Sequence, residues 1–296
     1  MLQMLEKLFQ NKFQKTDIDR LYTTENVFKN NFAEAYDLSG GTSINERKLN
    51  RFSATHFQNI QYERHIEKIF SENKIFGTGL DIGCGDGRGI DWLHKYGIKN
   101  KIGIDTNMDG LARYASKMSD NTYLINANPI DLLFIEDALD IVIAIEAMHY
   151  MGHNAFDGMV NKLSKAIKPQ GLCVFSDHNY EAGLLYAALR GGLKDILDLT
   201  KNKCSLEEVN KGSQLKVPNI SLKESDAAFS KNNFKLINRY GISALPVFLI
   251  HLFHNTENLT ENDKNQLCDA LDLIVQEDTC FNKIYMSLYQ KKLMNV

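Results

Sequence analysis

The stretch that decides the fold is GLDIGCGDGRGI, residues 79–90 of a chain of 296 residues. A short apolar run ends in Asp81 and Ile82, and glycines follow at positions 83, 85, 87 and 89. Glycines at a strand-to-helix turn let the backbone approach a ligand, and the helix that follows offers N–H donors and partial positive charge. The stretch therefore predicts a β-strand, a ligand-binding turn and the first turn of an α-helix.

Strand-like and helix-like runs alternate from residue 77 onward. Strands are predicted in GLDIG, KIGID, TYLIN, LDIVIAIEA and GLCVFSD, and helices in RGIDWLHKYG, NMDGLARYASKM and AFDGMVNKLSKAI. Alternation at this spacing is typical of βαβ units, in which helices cover both faces of a parallel sheet. We therefore predict an α/β protein with a doubly wound sheet.

Charge and cysteine usage limit the class of protein. Lys and Arg number 34 and Asp and Glu 37, so the formal net charge of −3 argues against a protein that binds nucleic acid through its phosphates. The five cysteines form no CxxC pair and no zinc-like spacing, which favours free thiols in a cytoplasmic protein. The N-terminal residues lack the apolar core of a signal peptide, and the longest apolar run, residues 244–253, is too short to cross a bilayer. We expect neither a bound metal nor a nucleic-acid or membrane partner.

The spacing of the glycines indicates the ligand. Dinucleotide-binding turns have the pattern G-x-G-x-x-G, but the sixth position counted from Gly83 is Arg88. The turn instead reads acid-x-G-x-G-x-G from Asp81, which suits a cationic amino group better than a pyrophosphate. Asp105 ends the next strand and is placed to bind both hydroxyls of a ribose. A ligand with an amine, a ribose and no phosphate is most simply S-adenosylmethionine.

Four motifs follow one another in the order LDIGCGDGR, IGIDTN, LINANPIDLLFIEDALDIVIAIEAMHYM and LSKAIKPQGLCVFSD. Together they resemble the class I S-adenosylmethionine-dependent methyltransferases that act on small molecules. The resemblance is close over about residues 75–178 and extends in outline over 224–240 and 279–292. It implies methyl transfer from S-adenosyl-L-methionine on a Rossmann-like, mostly parallel seven-stranded sheet.

The resemblance also implies a set of cofactor contacts. The residues that would hold the methionine end and the ribose are Asp81, Gly83, Cys84, Gly85 and Asp105. Thr106 would flank the adenine, whose edge would meet the Asn126 side chain and the Ala127 backbone N–H. The commonest pattern has Asp where this chain has Asn126, and Asn still offers a carbonyl acceptor. Ile145 and Glu146 would lie beside the methionine portion, and Tyr36 would cover the cofactor.

Two regions lie outside the alternating core, which comprises residues 76–177 and 224–296. Residues 1–75 have the apolar spacing of helices, and we expect a helical N-terminal extension that covers the active site. Residues 178–223 interrupt the alternation after a strand end, where ligands bind in such sheets. This insertion contains EAGLLYAALRGGLKDIL and a capping-box pair, Ser205 and Glu208, so we predict a helical cap over the substrate.

Three residues at the ends of the fourth and fifth core strands are candidate catalytic groups. His149 follows the fourth strand, and Asp177 and His178 end the fifth. A histidine at this edge can act as a general base, although a structural histidine at a strand end fits the pattern equally. In the glycine turn, Asp86 and Arg88 are interpreted as a solvated ion pair.

The acceptor is narrowed by a missing motif. Enzymes that methylate the amino groups of nucleic acid bases or glutamine carry [Asp/Asn]-Pro-Pro-aromatic after the fourth strand, where this chain has IEAM. We therefore expect an O- or N-methyltransferase for a small metabolite, and a homodimer is compatible with the sequence. A nicotinamide-dependent oxidoreductase and a non-catalytic S-adenosylmethionine-binding regulatory partner stay open as alternatives.

Overall fold

The computed structural model describes residues 2–24, 54–179, 204–210, 213–218, 220–243, 260–275 and 282–293. Tyr36 and the helix-like run at 181–197 lie outside these residues. The described helices are α1 (Leu2–Leu5), α2 (Ala54–Glu72), α3 (Arg88–Lys95), α4 (Met108–Ala115), α5 (His153–Ala166), α6 (Leu222–Lys231) and α7 (Glu261–Val275). The described strands are β1 (Gln14–Lys15), β2 (Leu21–Thr23), β3 (Thr78–Ile82), β4 (Asn100–Asp105), β5 (Thr122–Asn126), β6 (Leu139–Ile145), β7 (Ile167–His178), β8 (Cys204–Asn210), β9 (Ser213–Pro218), β10 (Phe234–Ser243) and β11 (Asn282–Lys291).

Nine of these strands form one sheet in the order β1-β2-β5-β4-β3-β6-β7-β11-β10. The strands from β2 to β7 in this order run parallel, and β11 is antiparallel to both of its neighbours. The α/β fold with a doubly wound, mostly parallel sheet is therefore confirmed. Because the carboxyl ends of parallel strands meet at one edge, the glycine turn lies at the same edge as the ends of β4, β5, β6 and β7.

The core lies on both faces of this sheet. On β6, Ile141, Ile143 and Ile145 pack on the face covered by α2 and α3, whereas Val142 and Ala144 pack on the face covered by α5 and α6. Successive residues of a strand point to opposite faces, so a strand that is apolar at nearly every position must be covered on both. This packing fixes the end of β6, where the candidate site begins.

The N-terminal region is only partly helical. The prediction is confirmed for α1 and α2 but is wrong for β1 and β2, which extend the sheet from seven to nine strands by pairing beside β5. Leu21 and Tyr22 are consecutive and both buried, Leu21 in the cluster around α4 and Tyr22 in the cluster around α5. Only a strand sends two consecutive side chains into cores on opposite faces of the sheet.

The described part of the predicted helical cap is a hairpin. β8 and β9 pair antiparallel, with Asn210 opposite Ser213, so the helix predicted after Ser205 is wrong. The capping box observed is formed by Ser221 and Glu224 at the start of α6.

In the part of the chain that the structure describes, none of the helices combines the length and the apolar character needed to cross a membrane.

Candidate active site

The glycine turn joins β3 to α3 and is fastened to β4. The N–H groups of Gly83 and Cys84 donate to the carbonyl of Ile104 at 2.8 and 3.1 Å, and Gly87 N–H donates to Cys84 O at 2.8 Å. Gly83, Gly85 and Gly87 have φ angles of +69°, +52° and +96°, a region that side-chain-bearing residues rarely adopt. The sequence therefore needs glycine here for its backbone conformation.

The three glycines differ in their surroundings. A Cβ atom at Gly83 would lie 2.4 Å from Ala147 Cβ, and one at Gly87 would lie 2.1 Å from the ring of Tyr114. A Cβ atom at Gly85 would have no atom of the described residues within 4 Å. Packing therefore requires Gly83 and Gly87, whereas the space next to Gly85 is open to a ligand.

Asp105 lies at the end of β4, next to this space. Its carboxylate accepts hydrogen bonds from Gly85 N–H at 2.7 Å and from Asn107 N–H at 2.8 Å. A carboxylate has about four acceptor sites. Asp105 thus fixes the turn from the side of β4, and its contact with the two hydroxyls of a ribose stays a prediction.

Asp81 is the buried carboxylate of the site, with an exposed fraction of 3%. Burial raises the pKa of Asp81 to about 8, while Arg88 opposes this rise and Asp105 adds to it. Its Oδ2 is buried and has no hydrogen-bond partner among the residues that the structure describes. A cationic amino group bound nearby would stabilise the ionised carboxylate, so Asp81 fits the amine-binding role assigned to it.

Asn126 and Ala127 hold the loop that follows β4. Asn126 Nδ2 donates to the carbonyls of Asp105 and Thr106 at 3.1 and 3.0 Å, and Ala127 N–H donates to Asp105 O at 3.1 Å. Their donors thus position Asp105 and Thr106, and their contact with an adenine stays a prediction. Asn128, which was not among the predicted site residues, is partly exposed at the same edge of the sheet. Its side-chain oxygen accepts the backbone N–H of Ile130 at 3.2 Å and so caps a 3-10 turn. Its signal was the Asn-Pro pair directly after a buried strand.

Glu146 follows β6 in a left-handed conformation, with φ of +53°. The buried phenol of Tyr62 donates to Glu146 Oε1 at 3.0 Å and lies 3.1 Å from Ser176 Oγ. Glu146 N–H donates to Ser176 Oγ at 3.0 Å. Glu146 is therefore held through its carboxylate by α2 and through its backbone N–H by β7, while the preceding residue, Ile145, packs in the core.

Arg88 connects the glycine turn to Glu146. Its guanidinium lies 5.0 Å from the ring centre of Tyr62 and 5.5 Å from that of Trp92, and its Nη2 lies 3.8 Å from Glu146 Oε1. The interpretation of Asp86 and Arg88 as a solvated pair is wrong, because Asp86 is buried and Arg88 stacks on aromatic rings.

The structure brings the three predicted catalytic residues together. His149 Nδ1 lies 3.2 Å from Asp177 Oδ1, with both side chains buried. The same Oδ1 accepts the backbone N–H of His178 at 2.6 Å. The His178 ring lies edge-on to His149 at 5.4 Å, its Nε2 is 3.9 Å from Glu146 Oε2, and about a quarter of its side chain is exposed. His178 is therefore the accessible histidine of this group.

Cys84 lies beneath the turn, 5% exposed. Burial, followed by the charges of Asp105 and Asp81, raises the pKa of the Cys84 thiol well above its usual value. The sulfur therefore stays protonated, and Cys84 packs beneath the turn as a small apolar residue, so that its contact with the cofactor stays a prediction. Among the described residues, no group of three or more His, Cys, Asp or Glu side chains could hold a metal ion.

Comparisons with known proteins show what this chain is similar to. Residues 80–175 match the family model of the methyltransferase domain, and no curated protein matches the chain. A proposed S-adenosylmethionine-dependent methyltransferase from Listeria monocytogenes is similar over 80% of this chain and 100% of its own, with a TM-score of 0.57 and 18% identity. An S-adenosylmethionine-dependent methyltransferase from Methanosarcina mazei is similar over 77% and 98%, with a TM-score of 0.53 and 16% identity. Residues 80–175 are therefore a methyltransferase domain, and the fold built around them is the class I fold of S-adenosylmethionine-dependent methyltransferases.

Proposed function

We propose that this protein transfers the methyl group of S-adenosyl-L-methionine to an O or N atom of a small metabolite. The observation that carries the proposal is the open space at Gly85, next to the carboxylate of Asp105 and near the start of a turn that begins with the buried carboxylate of Asp81. S-adenosyl-L-methionine is the cofactor expected for this domain and fold, and when bound it supplies an electrophilic methyl group on a sulfonium. Asp105 would bind its ribose, and Asp81 would stabilise its amino group.

The end of β6 supports a small acceptor. The residues there are Glu146, Ala147 and Met148, in place of the Pro-Pro-aromatic signature of enzymes that methylate bases or glutamine. The β8–β9 hairpin lies beside the Met148–Met151 turn, which carries His149. A hairpin at this place would restrict the size of the acceptor.

Methyl transfer requires mainly that the reacting groups be positioned correctly. Methyl transfer is an in-line displacement, so nucleophile, methyl carbon and sulfur must be collinear and water must be excluded. Positioning alone can lower such a barrier by roughly 7–11 kcal/mol. The rigid turn, held to β4 by Ile104 and Asp105, and the fixed end of β6 are suited to this task.

The test is a binding titration followed by a transfer assay. S-adenosylhomocysteine should bind the purified protein, whereas NADH should not. Methyl-labelled S-adenosylmethionine, incubated with the protein and a metabolite extract, should then label small molecules. Label found only in protein or RNA would refute the small-molecule acceptor. Binding of NADH in place of S-adenosylhomocysteine would favour an oxidoreductase.

A further inference from the structure

We propose that His178 is the general base of this site and that the acceptor is a hydroxyl or phenol, a group that loses a proton as it is methylated. The inference rests on the proposed methyl transfer and adds the residue that removes the proton and the class of substrate.

The first support is the position of His178 relative to the cofactor turn. Gly83 abuts Ala147, since a Cβ atom at Gly83 would meet that residue at 2.4 Å. Glu146 directly precedes Ala147, and its Oε2 lies 3.9 Å from His178 Nε2. His178 thus lies at the end of β7 beside the end of β6, where an acceptor next to the methionine end of the cofactor would be.

The second support is that His178 is held in place from behind. Asp177 Oδ1 accepts the backbone N–H of His178 at 2.6 Å and lies 3.2 Å from His149 Nδ1. The imidazole rings of His149 and His178 pack edge to face, with their centres 5.4 Å apart. His149 is 1% exposed and Asp177 4%, so neither can meet an acceptor directly. We assign both as positioning residues.

The third support is the charge beside His178. The carboxylate of Glu146 favours the imidazolium that forms when His178 accepts a proton. Tyr62 donates to the other oxygen of this carboxylate, Oε1, and Ser176 accepts the backbone N–H of Glu146. Arg88 lies 3.8 Å from Oε1, where it moderates the negative charge. Among the described residues, the other titratable groups near His178 are His149, which is packed against Tyr150, Asp177 on β7, and Tyr285, which pairs with Asp177 from β11.

This arrangement indicates the acceptor class. An amine that arrives neutral is already a nucleophile and needs little help, whereas a hydroxyl or phenol gains from a nearby base. In the step proposed, the acceptor O–H bond breaks and its proton passes to the His178 imidazole. The acceptor oxygen forms the new O–CH₃ bond as the S–CH₃ bond breaks, and that electron pair stays on sulfur. A histidine that its neighbours hold in place, with about a quarter of its side chain exposed, suits such a step.

The experiment uses ¹³C-methyl S-adenosylmethionine and a metabolite extract, with the methylated atom identified from the chemical shift of the new methyl group. The variants are His178→Gln, Glu146→Gln and the control His94→Gln, which changes an exposed histidine on α3. Affinity for S-adenosylhomocysteine is measured for each, and for His178→Gln we expect it within about threefold of wild type, which also shows that this variant folds.

We expect an O-methyl product whose rate of formation near neutral pH falls about 10²- to 10⁴-fold in His178→Gln and is unchanged in His94→Gln. The His178→Gln rate should recover at alkaline pH, as the acceptor ionises unaided; a structural defect would not recover. In Glu146→Gln the rising limb of the rate–pH profile should move about one pH unit lower, because the imidazolium loses its anionic neighbour.

A methyl group on nitrogen or sulfur, or an undiminished rate in His178→Gln, would overturn the inference while leaving methyl transfer intact. No labelled small molecule at all, from wild-type protein that binds S-adenosylhomocysteine, would overturn the proposed function as well.

Discussion

The two halves of the candidate site consist of different kinds of groups. The half at β3 and β4 consists of backbone N–H groups, a glycine turn and two carboxylates, and its hydrogen bonds join residues close in the chain, such as Gly85 and Asp105. The half at β6 and β7 consists of side chains, and Tyr62 and Glu146 in it are 84 residues apart.

This difference shows how the site divides its work. A backbone cradle constrains the sequence strongly, because only glycine fits at Gly83 and Gly87. A side-chain cluster can change one residue at a time without altering the turn. The half at β3 and β4, called the cofactor half below, is thus suited to a constant ligand. The half at β6 and β7, called the β6–β7 half, is suited to an acceptor that differs between enzymes of the same fold.

The largest effect is expected for Asp105→Ala. Charge-assisted hydrogen bonds contribute about 1.5–3 kcal/mol each, so the loss of those to two ribose hydroxyls should weaken S-adenosylhomocysteine binding about 10²- to 10⁴-fold. Calorimetric titration measures it, with Asp109→Asn on the exposed side of α4 as the control. Affinity for S-adenosylhomocysteine within threefold of wild type would show that Asp105 does not bind the cofactor.

Two glycine substitutions separate packing from ligand space. Gly87→Ala should lower the free energy of unfolding by about 3 kcal/mol and the Tm by roughly 10 °C, because its Cβ would clash with Tyr114. Gly85→Ala meets no neighbour, so its strain should cost only about 1 kcal/mol. Yet Gly85→Ala should weaken S-adenosylhomocysteine binding about tenfold or more, since the Cβ enters the ligand space. Thermal unfolding and titration of both variants check the contrast, and equal losses of stability would contradict it.

The stability of the cofactor half should depend on pH through Asp81. Its pKa is raised to about 8 by burial, so the folded state holds this proton more tightly than the unfolded state does. The stabilisation of the folded state by that proton is complete below about pH 4 and is lost as the pH rises through 8. Between these two values the free energy of unfolding falls by about 1.4 kcal/mol per pH unit. Urea unfolding of wild type and Asp81→Asn at pH 6 and 7 measures it. The wild type should lose stability relative to Asp81→Asn, and a constant difference would contradict the prediction.

The smallest effect concerns the β6–β7 half. Tyr62→Phe and Ser176→Ala each remove a member of the network around Glu146, and each should lower the free energy of unfolding by about 1 kcal/mol. The double variant should lose less stability than the sum of the two single losses, by about 0.5 kcal/mol or more. The reason is that the two hydroxyls contact each other at 3.1 Å, so that either single substitution already removes their contact. Additive losses in urea unfolding would show that the two residues act separately.

The same contrast explains what could be predicted from the sequence. Strands β3 to β7, the glycine turn and the position of Asp105 at the end of β4 were predicted correctly, because periodicity and spacing specify them. The strands β1 and β2 were missed because pairing with β5, a contact distant in the chain, determines them. The β8–β9 hairpin was missed because a capping-box spacing predicted a helix there.

The site was predictable only where chemistry and chain position coincide. His149, Asp177 and His178 could be selected because strand ends meet at one edge. Tyr62 could not, because nothing in the periodicity of α2 distinguishes a buried phenol that bonds Glu146 from an ordinary core aromatic. Arg88 was misread because its stacking partners, Tyr62 and Trp92, come from two different helices.

The buried sulfur of Cys84 provides a way to observe the turn directly. Because its thiol is protonated and shielded, an alkylating reagent can reach it only when the segment between β3 and α3 opens. The rate of alkylation therefore reports local opening of the cradle, and its slowing by a bound ligand would measure occupancy without any knowledge of the acceptor.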